Sequence, residues 1–440
     1  MRSRIRWIAL AVIVVIGLAA QFVRPALVNP PVVAELNVPV EVKQVFSTSC
    51  YNCHSNETRL SWFDKIVPAY WLVVKDVKNA RTHLNFSEMQ HVQGSAQQDL
   101  LFEITNQMQA GAMPPRSYSL LHPESKVTPE KLQILKRYLD PYRTRPAASA
   151  AQFSAVVDEY QKWVGGPAAP NVRTAPNGIP FIPDYKDWRV VGSSERFDNQ
   201  TVRLILGNDA AISAIENNTV NPWPDGAILA KVAWDRLTDE SGSAQPGQFK
   251  QVEFMIKDSK RFASTLGWGF ARWRGVNLQP FGSDANFVQG CVDCHTPMSN
   301  RDFVFTDPVK DRTPLPETLP YDPLGWRVIA ATVNAKDSTM STLFGNDVAV
   351  MHARTNPNEP YPAGAFLALV TWTQQEDARW FGAKVPDGLK SVEFVTVRTL
   401  DSKPSYSYEM YAGSPLALVN QVDRDSRIND IVHRRALVMP

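Results

Sequence analysis

Cysteine is scarce in this chain of 440 residues: there are four, and none falls outside two short motifs, Cys50-Tyr51-Asn52-Cys53-His54 and Cys291-Val292-Asp293-Cys294-His295. With both motifs in use no thiol is left over, which removes the ordinary option of a disulfide framework. Charge of one sign is also missing. The 46 basic residues against 44 acidic ones create no global field to draw in nucleic acid or an acidic surface, so no nucleic-acid partner is expected. No nucleophilic triad, phosphate-binding glycine loop or divalent-metal cluster stands out either.

What the chain does have is the C-x-x-C-H pattern twice. Two thiols separated by two residues add to the two vinyl groups of one porphyrin, and the imidazole that follows lies beneath the iron. Zinc needs four ligands per site, and a thioredoxin-like dithiol has no required histidine after it. The expectation is two covalently attached c-type haems, held by Cys50 and Cys53 and by Cys291 and Cys294, with His54 and His295 as iron ligands. For the other side of the first iron, Met113 in Gly111-Ala112-Met113-Pro114-Pro115 offers a thioether, with His83, His91 and His122 as alternatives.

The chain starts with Arg2, Arg4 and Arg6, followed by an apolar run over 8–23 in which Gln21 is the one clearly polar residue. This is an export signal, either cut near Gly17-Leu18-Ala19 or retained as a membrane anchor over residues 7–23. We take it as retained. The positive-inside rule then places everything after Arg24 in the periplasm.

A chain of this length predicts two to four domains. Residues 1–30 are the signal or anchor. Residues 31–140 read as a small all-α domain, with apolar residues at helical spacing over 101–108 and 131–139 and a helix start at Thr128-Pro129-Glu130-Lys131. Residues 141–183, rich in Pro, Ala and Gly, read as a linker with a short helix over 151–163. From 184 the texture changes to short Val-, Ile-, Phe- and Trp-rich runs such as 188–191, 202–206 and 251–256, which are strands.

The strand-rich part repeats. Trp188-Arg189-Val190 returns as Trp326-Arg327-Val328, Gly207-Asn208-Asp209 as Gly345-Asn346-Asp347, Gly226-Ala227 as Gly364-Ala365 and Trp234 as Trp372, each 138 positions later. Val252-Glu253-Phe254 returns as Val392-Glu393-Phe394, 140 positions later. Order and spacing kept together over such a span mean two copies of one fold, at 184–310 and 311–440. The second copy has no cysteine, so it is expected to be haemless and structural.

Two resemblances follow from these motifs. Cys50 to Thr58, Leu84-Asn85-Phe86-Ser87-Glu88, Met113-Pro114-Pro115 and Leu121-His122-Pro123 resemble the haem-binding domain of exported bacterial cytochromes, which implies one c-type haem and electron transfer. Trp188-Arg189-Val190, Leu206 to Asp209, Trp223 to Lys231, Val252 to Met255, Gly267 to Arg272 and Cys291 to His295 resemble the cytochrome P-460 family and its sister group, the cytochromes c-prime-beta. That resemblance implies mainly antiparallel β domains, the second of them degenerate, and a haem with histidine below and an open face above. In the type enzymes a lysine is bonded to the porphyrin edge and hydroxylamine is oxidised, whereas the sister group binds nitric oxide without that bond.

Lys231 matches the cross-linking lysine in sequence context. On a strand it shares a face with Leu229 and Ala233. It is therefore either at a sheet edge with its ammonium in water or in a dry pocket where the neutral amine reacts. The equivalent position in the second copy is Leu369. Trp268, Phe270 and Trp273 either wall the open face or are plain core, and Arg272 and Glu253 are candidates to steer protons. The expected function is a dihaem enzyme that oxidises hydroxylamine or a related small nitrogen species at Lys231 and the second haem. Electrons would pass through the first haem to an acceptor cytochrome or quinone-linked complex. The alternatives are a nitric oxide-binding protein and a plain electron carrier.

Overall fold

The computed structural model describes residues 2–143, 147–165, 172–309, 314–401, 403–420 and 422–440. They form two compact units, 1–142 and 143–440.

The first unit is helical: α1 (Arg2–Ala20), α2 (Val40–Ser49), α3 (Tyr51–His54), α4 (Ala69–His83), α5 (Ser95–Gln109), α6 (Arg116–Leu121) and α7 (Pro129–Leu139). Val42, Val45 and Phe46 of α2, Val74 and Val77 of α4, Leu101 and Phe102 of α5, and Leu135 and Leu139 of α7 are buried in its interior. α7 starts where the sequence says: Thr128 accepts from the Lys131 amide and Pro129 takes the first helical position, where its missing N–H costs nothing.

The apolar run near the start does not continue as helix to residue 23. α1 stops at Ala20, and Gln21 turns out of it to exchange two hydrogen bonds with the Val67 backbone, each 3.1 Å. Since its first turns carry the arginines, the apolar part of α1 is roughly 21 Å long at 1.5 Å per residue, short of the ~30 Å hydrocarbon layer. Among the described residues no helix is long and apolar enough to cross a membrane.

The second unit is built from antiparallel strands β1 (Arg189–Arg196), β2 (Thr201–Gly207), β3 (Ile228–Thr238), β4 (Ser243–Lys257), β5 (Trp268–Arg274), β6 (Gln279–Pro280), β7 (Arg327–Asn334), β8 (Thr339–Gly345), β9 (Phe366–Glu376), β10 (Ala383–Leu400), β11 (Lys403–Ala412) and β12 (Ala417–Leu418). Its helices are α8 (Ala150–Gly165), α9 (Asp209–Glu216), α10 (Val288–His295), α11 (Asp347–Thr355) and α12 (Arg424–Val432). The strands run β1-β2-β3-β4-β7-β8-β9-β10 and return to β1, with β5 and β6 branching from β4 and β11 and β12 from β10.

The recurring motifs have a shared mechanical cause. Asn208 and Asn346 each cap a helix, accepting from Ala211 and Ala349 at 3.0 Å, while their amides donate to the carbonyls of Gly226 and Gly364 at 2.9 and 2.8 Å. Those glycines sit at φ 90° and 87°, which a side chain resists. One asparagine thus ties a helix start to the turn that begins the next strand.

The two repeats join reciprocally. Ser243 and Ala244 at the start of β4 pair with Asn334 and Val333 at the end of β7, and Ala383 and Lys384 at the start of β10 pair with Arg196 and Glu195 at the end of β1. These are the same positions with the roles exchanged, the signature of an isologous two-fold contact. The repeats are halves of one unit rather than separable domains. The expected linker needs correction too: α8 packs on the sheet, with Tyr160 buried and its hydroxyl donating to the Ala353 carbonyl at 3.2 Å, and Ala175, Ile179 and Tyr185 are core. The short helix expected over 151–163 is present as α8, packed on the sheet rather than free.

Candidate functional site

In the helical unit α3 carries the first motif. His54 Nδ1 lies 3.1 Å from the Leu84 carbonyl and donates to it, which leaves Nε2 with no polar partner among the described residues and fixes the tautomer a metal needs. Burial lowers the basicity of His54 and pushes the Cys50 and Cys53 thiols up to about 12 and about 11. Because Nδ1 points away from the coordinating side, Leu84 and its neighbour His83 stand behind His54, a poor place for a ligand to the opposite side of the iron. His122 is occupied otherwise: its Nε2 is 2.9 Å from Asp64, its Nδ1 is 3.2 Å from the Tyr118 carbonyl, and its ring stacks on Tyr118 with centroids 4.0 Å apart. Met113, in the turn after α5, is 41 % exposed, so filling the core is not its role.

In the β unit, the second motif forms α10, packed against β5. His295 Nδ1 donates to the Phe303 carbonyl at 2.7 Å, and Nε2 again has no polar partner among the described residues. Burial holds His295 neutral, down to about 4, and raises Cys291 to about 11. Cys291 and Val292 lean on an apolar cluster that includes Trp223, Leu229, Trp268 and Phe270. The Phe270 and Phe305 rings flank the imidazole, each with its centroid 5.2 Å away. A thiol pair one helical turn apart, a neutral imidazole with Nε2 free and an apolar wall are the donor set that a covalent haem needs.

The sheet face beside α10 is apolar at one end and ionic at the other. Leu229, Met255 and Phe270 lie in register across β3, β4 and β5; the next row is Lys231, Glu253 and Arg272, and the one after it includes Gln251 and Arg274. Lys231 Nζ is 2.8 Å from Glu253 Oε2, Arg272 Nε is 3.4 Å from Oε1, and Gln251 donates to the same carboxylate. Burial alone would raise Glu253, but Lys231 and then Arg272 outweigh it and hold the carboxyl at about 2. Burial pushes Lys231 down, although its side chain keeps 30 % of its surface accessible and Glu253 opposes the shift. We take the pair as charged, because the carboxylate is held ionised at 2.8 Å. Arg272 Nε is buried with no hydrogen-bond partner among the described residues, so this face holds an unsatisfied donor as well. Lys231, Glu253 and Arg272 all lie close enough to His295 and Cys291 to influence their acidity.

β3 is an inner strand, so Lys231 is not at a sheet edge; it is ion-paired across the sheet with Glu253. Of the aromatic candidates, Phe270 faces the histidine while Trp273 belongs to the core on the other face. The sequence reading passed over three features: the Phe303 carbonyl, the Lys257–Asp302 pair (2.7 Å) beneath it, and His433, which lies 138 positions after His295. The offset already in hand would have found His433. Asn429 and Val432 stand where the thiols would be.

Comparison with known families agrees with this geometry. A family model described as Haem-binding domain matches residues 13–141, and one described as Cytochrome P460 matches 182–306 and 321–415. A search of curated proteins finds no match.

Proposed function

The chain belongs to the cytochrome P460 family and is a haem cytochrome with a haem-binding domain at its N-terminal side; from that premise we propose that it is an exported dihaem enzyme oxidising hydroxylamine or a related small nitrogen species at the β-unit haem. The observation that carries the proposal is the ionic row Lys231, Glu253 and Arg272 beside His295, present in the first repeat and reduced to its carboxylate in the second.

In this reading Cys291, Cys294 and His295 would hold the second haem, and Cys50, Cys53, His54 and Met113 would hold the first. The bound haem supplies the redox chemistry. The chain supplies polarity and position: Glu253 holds Lys231 and the guanidinium of Arg272 next to the reaction space, and the guanidinium's charge favours anionic nitrogen-oxide products. Covalent haem attachment calls for export to the periplasm, with residues 1–30 as the signal or anchor. Electrons would leave by way of the first haem to an acceptor cytochrome or quinone-linked complex. The second repeat is a haemless copy.

Lys231→Ala tests this: turnover of hydroxylamine should be lost and the reduced spectrum should move towards that of an ordinary c-type haem. An unchanged spectrum with full turnover would remove Lys231 from the mechanism. A second reading, capture of nitric oxide without turnover, is favoured by the 2.8 Å ion pair, since a lysine held as ammonium cannot attack a porphyrin edge until it loses its proton. Intact mass separates the two, because two haems with no further bond to Lys231 favour gas binding.

A further inference from the structure

The offset between the repeats grows from 138 to 140 within one place: residues 239–242 join β3 to β4, whereas the longer segment 377–382 joins β9 to β10. This lengthened loop of the second repeat reaches the segment of the first repeat that serves His295. Trp380 meets Phe305 edge-on at 5.6 Å, and Phe305 meets the His295 ring edge-on at 5.2 Å. Arg379 donates to Asp307 at 2.6 Å and to the Phe305 carbonyl at 3.3 Å, and Asp307 also binds Arg301. Trp380 is itself fixed, its Nε1 donating to Asp198 at 3.1 Å and its ring lying under the Arg196 guanidinium at 4.2 Å.

The other end of the same segment is fastened by the first repeat. Lys257 binds both oxygens of the buried Asp302 carboxylate at 2.7 and 2.8 Å, the Trp223 amide donates to it at 2.9 Å, and Trp268 Nε1 donates to the Asp302 carbonyl at 2.9 Å. Between the two fastenings Asp302 and Phe303 both stand in the left-handed region, φ 47° and 68°, which is costly for a side chain as large as phenylalanine and persists only where the surroundings enforce it. That strained turn presents the Phe303 carbonyl to His295.

We propose that the second repeat is a clamp on the haem of the first: Arg379 and Trp380 are positioning residues that hold segment 303–307 so that the Phe303 carbonyl keeps its hydrogen bond to His295 Nδ1. This rests on His295 being the iron ligand. A strong acceptor at Nδ1 gives the imidazole more anionic character and makes it a stronger donor to iron, which favours the oxidised state. The haemless repeat thereby sets the potential of the β-unit haem.

The test uses the full-length holoprotein and two readouts other than turnover: the iron–histidine stretching frequency of the five-coordinate ferrous haem, and that haem's reduction potential. Arg379→Ala and Trp380→Leu should each lower the frequency and raise the potential, whereas Arg379→Lys and Trp380→Phe should stay near the parent. Glu376→Gln, at the same loop's base, should leave both unchanged. Folded Arg379→Ala and Trp380→Leu proteins with the parent frequency and potential would overturn the clamp alone. A parent protein whose ferrous β-unit haem is five-coordinate yet gives no iron–histidine band would overturn the ligand assignment and the clamp together.

Discussion

The two repeats of the β unit share a backbone plan and differ on one face. Where the first sets Ile205, Lys231, Glu253 and Arg272 in register, the second sets Leu343, Leu369, Glu393 and Met410; where the first sets Arg203, Ala233, Gln251 and Arg274, the second sets Ser341, Thr371, Ser391 and Ala412. Every cation of these rows is gone and the glutamate remains. It has found new partners: Arg427 from α12 binds Glu393 at 2.7 and 2.8 Å, and Tyr408, at the position of Phe270, donates to it at 2.6 Å. Leu343, Leu369, Tyr408 and Ile431 then belong to one continuous apolar core with Tyr160 of α8 and the C-terminal residues Ala436 to Met439. The second repeat's counterpart of the His295 site is thus not merely without thiols but filled by side chains.

The sharpest break of the comparison is to remove the thiols. Cys291→Ala with Cys294→Ala should abolish covalent haem in the β unit, halving the haem content read by intact mass. The reverse graft, Asn429→Cys with Val432→Cys, recreates the spacing before His433 and should add none, because Leu369 and Tyr408 occupy the space.

Next in size is the carboxylate that both repeats retain. Arg427→Ala leaves Glu393, 3 % exposed, with Tyr408 as its remaining partner, and should cost about 3–5 kcal/mol in denaturant unfolding, as for a broken buried pair. Arg272→Ala should cost less, since Glu253 keeps Lys231.

A graded effect follows from pH. Glu253 ionises at about 2 in the folded chain against an ordinary 4.5, so its contribution is complete above pH 4.5 and is lost as pH falls towards 2. Denaturation midpoints measured across that window should fall less steeply for Glu253→Gln than for the parent. The smallest stability effect expected is that of Lys231→Leu, which turns the row into that of the second repeat at about 1 kcal/mol, because Arg272 and Gln251 still hold the carboxylate.

Much of this difference was legible in the sequence. The thiol motifs, the constant offset, the strand at Lys231 and Leu369 in its place are all local or periodic signals, and Thr128-Pro129 marked a helix start correctly. Cross-strand register is not local, so the Glu253 and Arg272 partners of Lys231 were invisible while its own strand looked apolar on both faces. The clamp was hidden for a related reason: the two extra loop residues can be counted in the sequence, but their reach to Phe305 and Asp307 belongs to the reciprocal packing of the halves. Composition reads the apolar run at 8–23 as one stretch and does not show that Gln21 leaves the helix to bind Val67.

The most direct test is mass spectrometry of peptides from full-length protein matured in an exporting host. The account predicts haem on the peptides that contain 50–54 and 291–295, a further bond from the second haem to Lys231, and no haem on 429–433. A 291–295 peptide recovered with free thiols would contradict it.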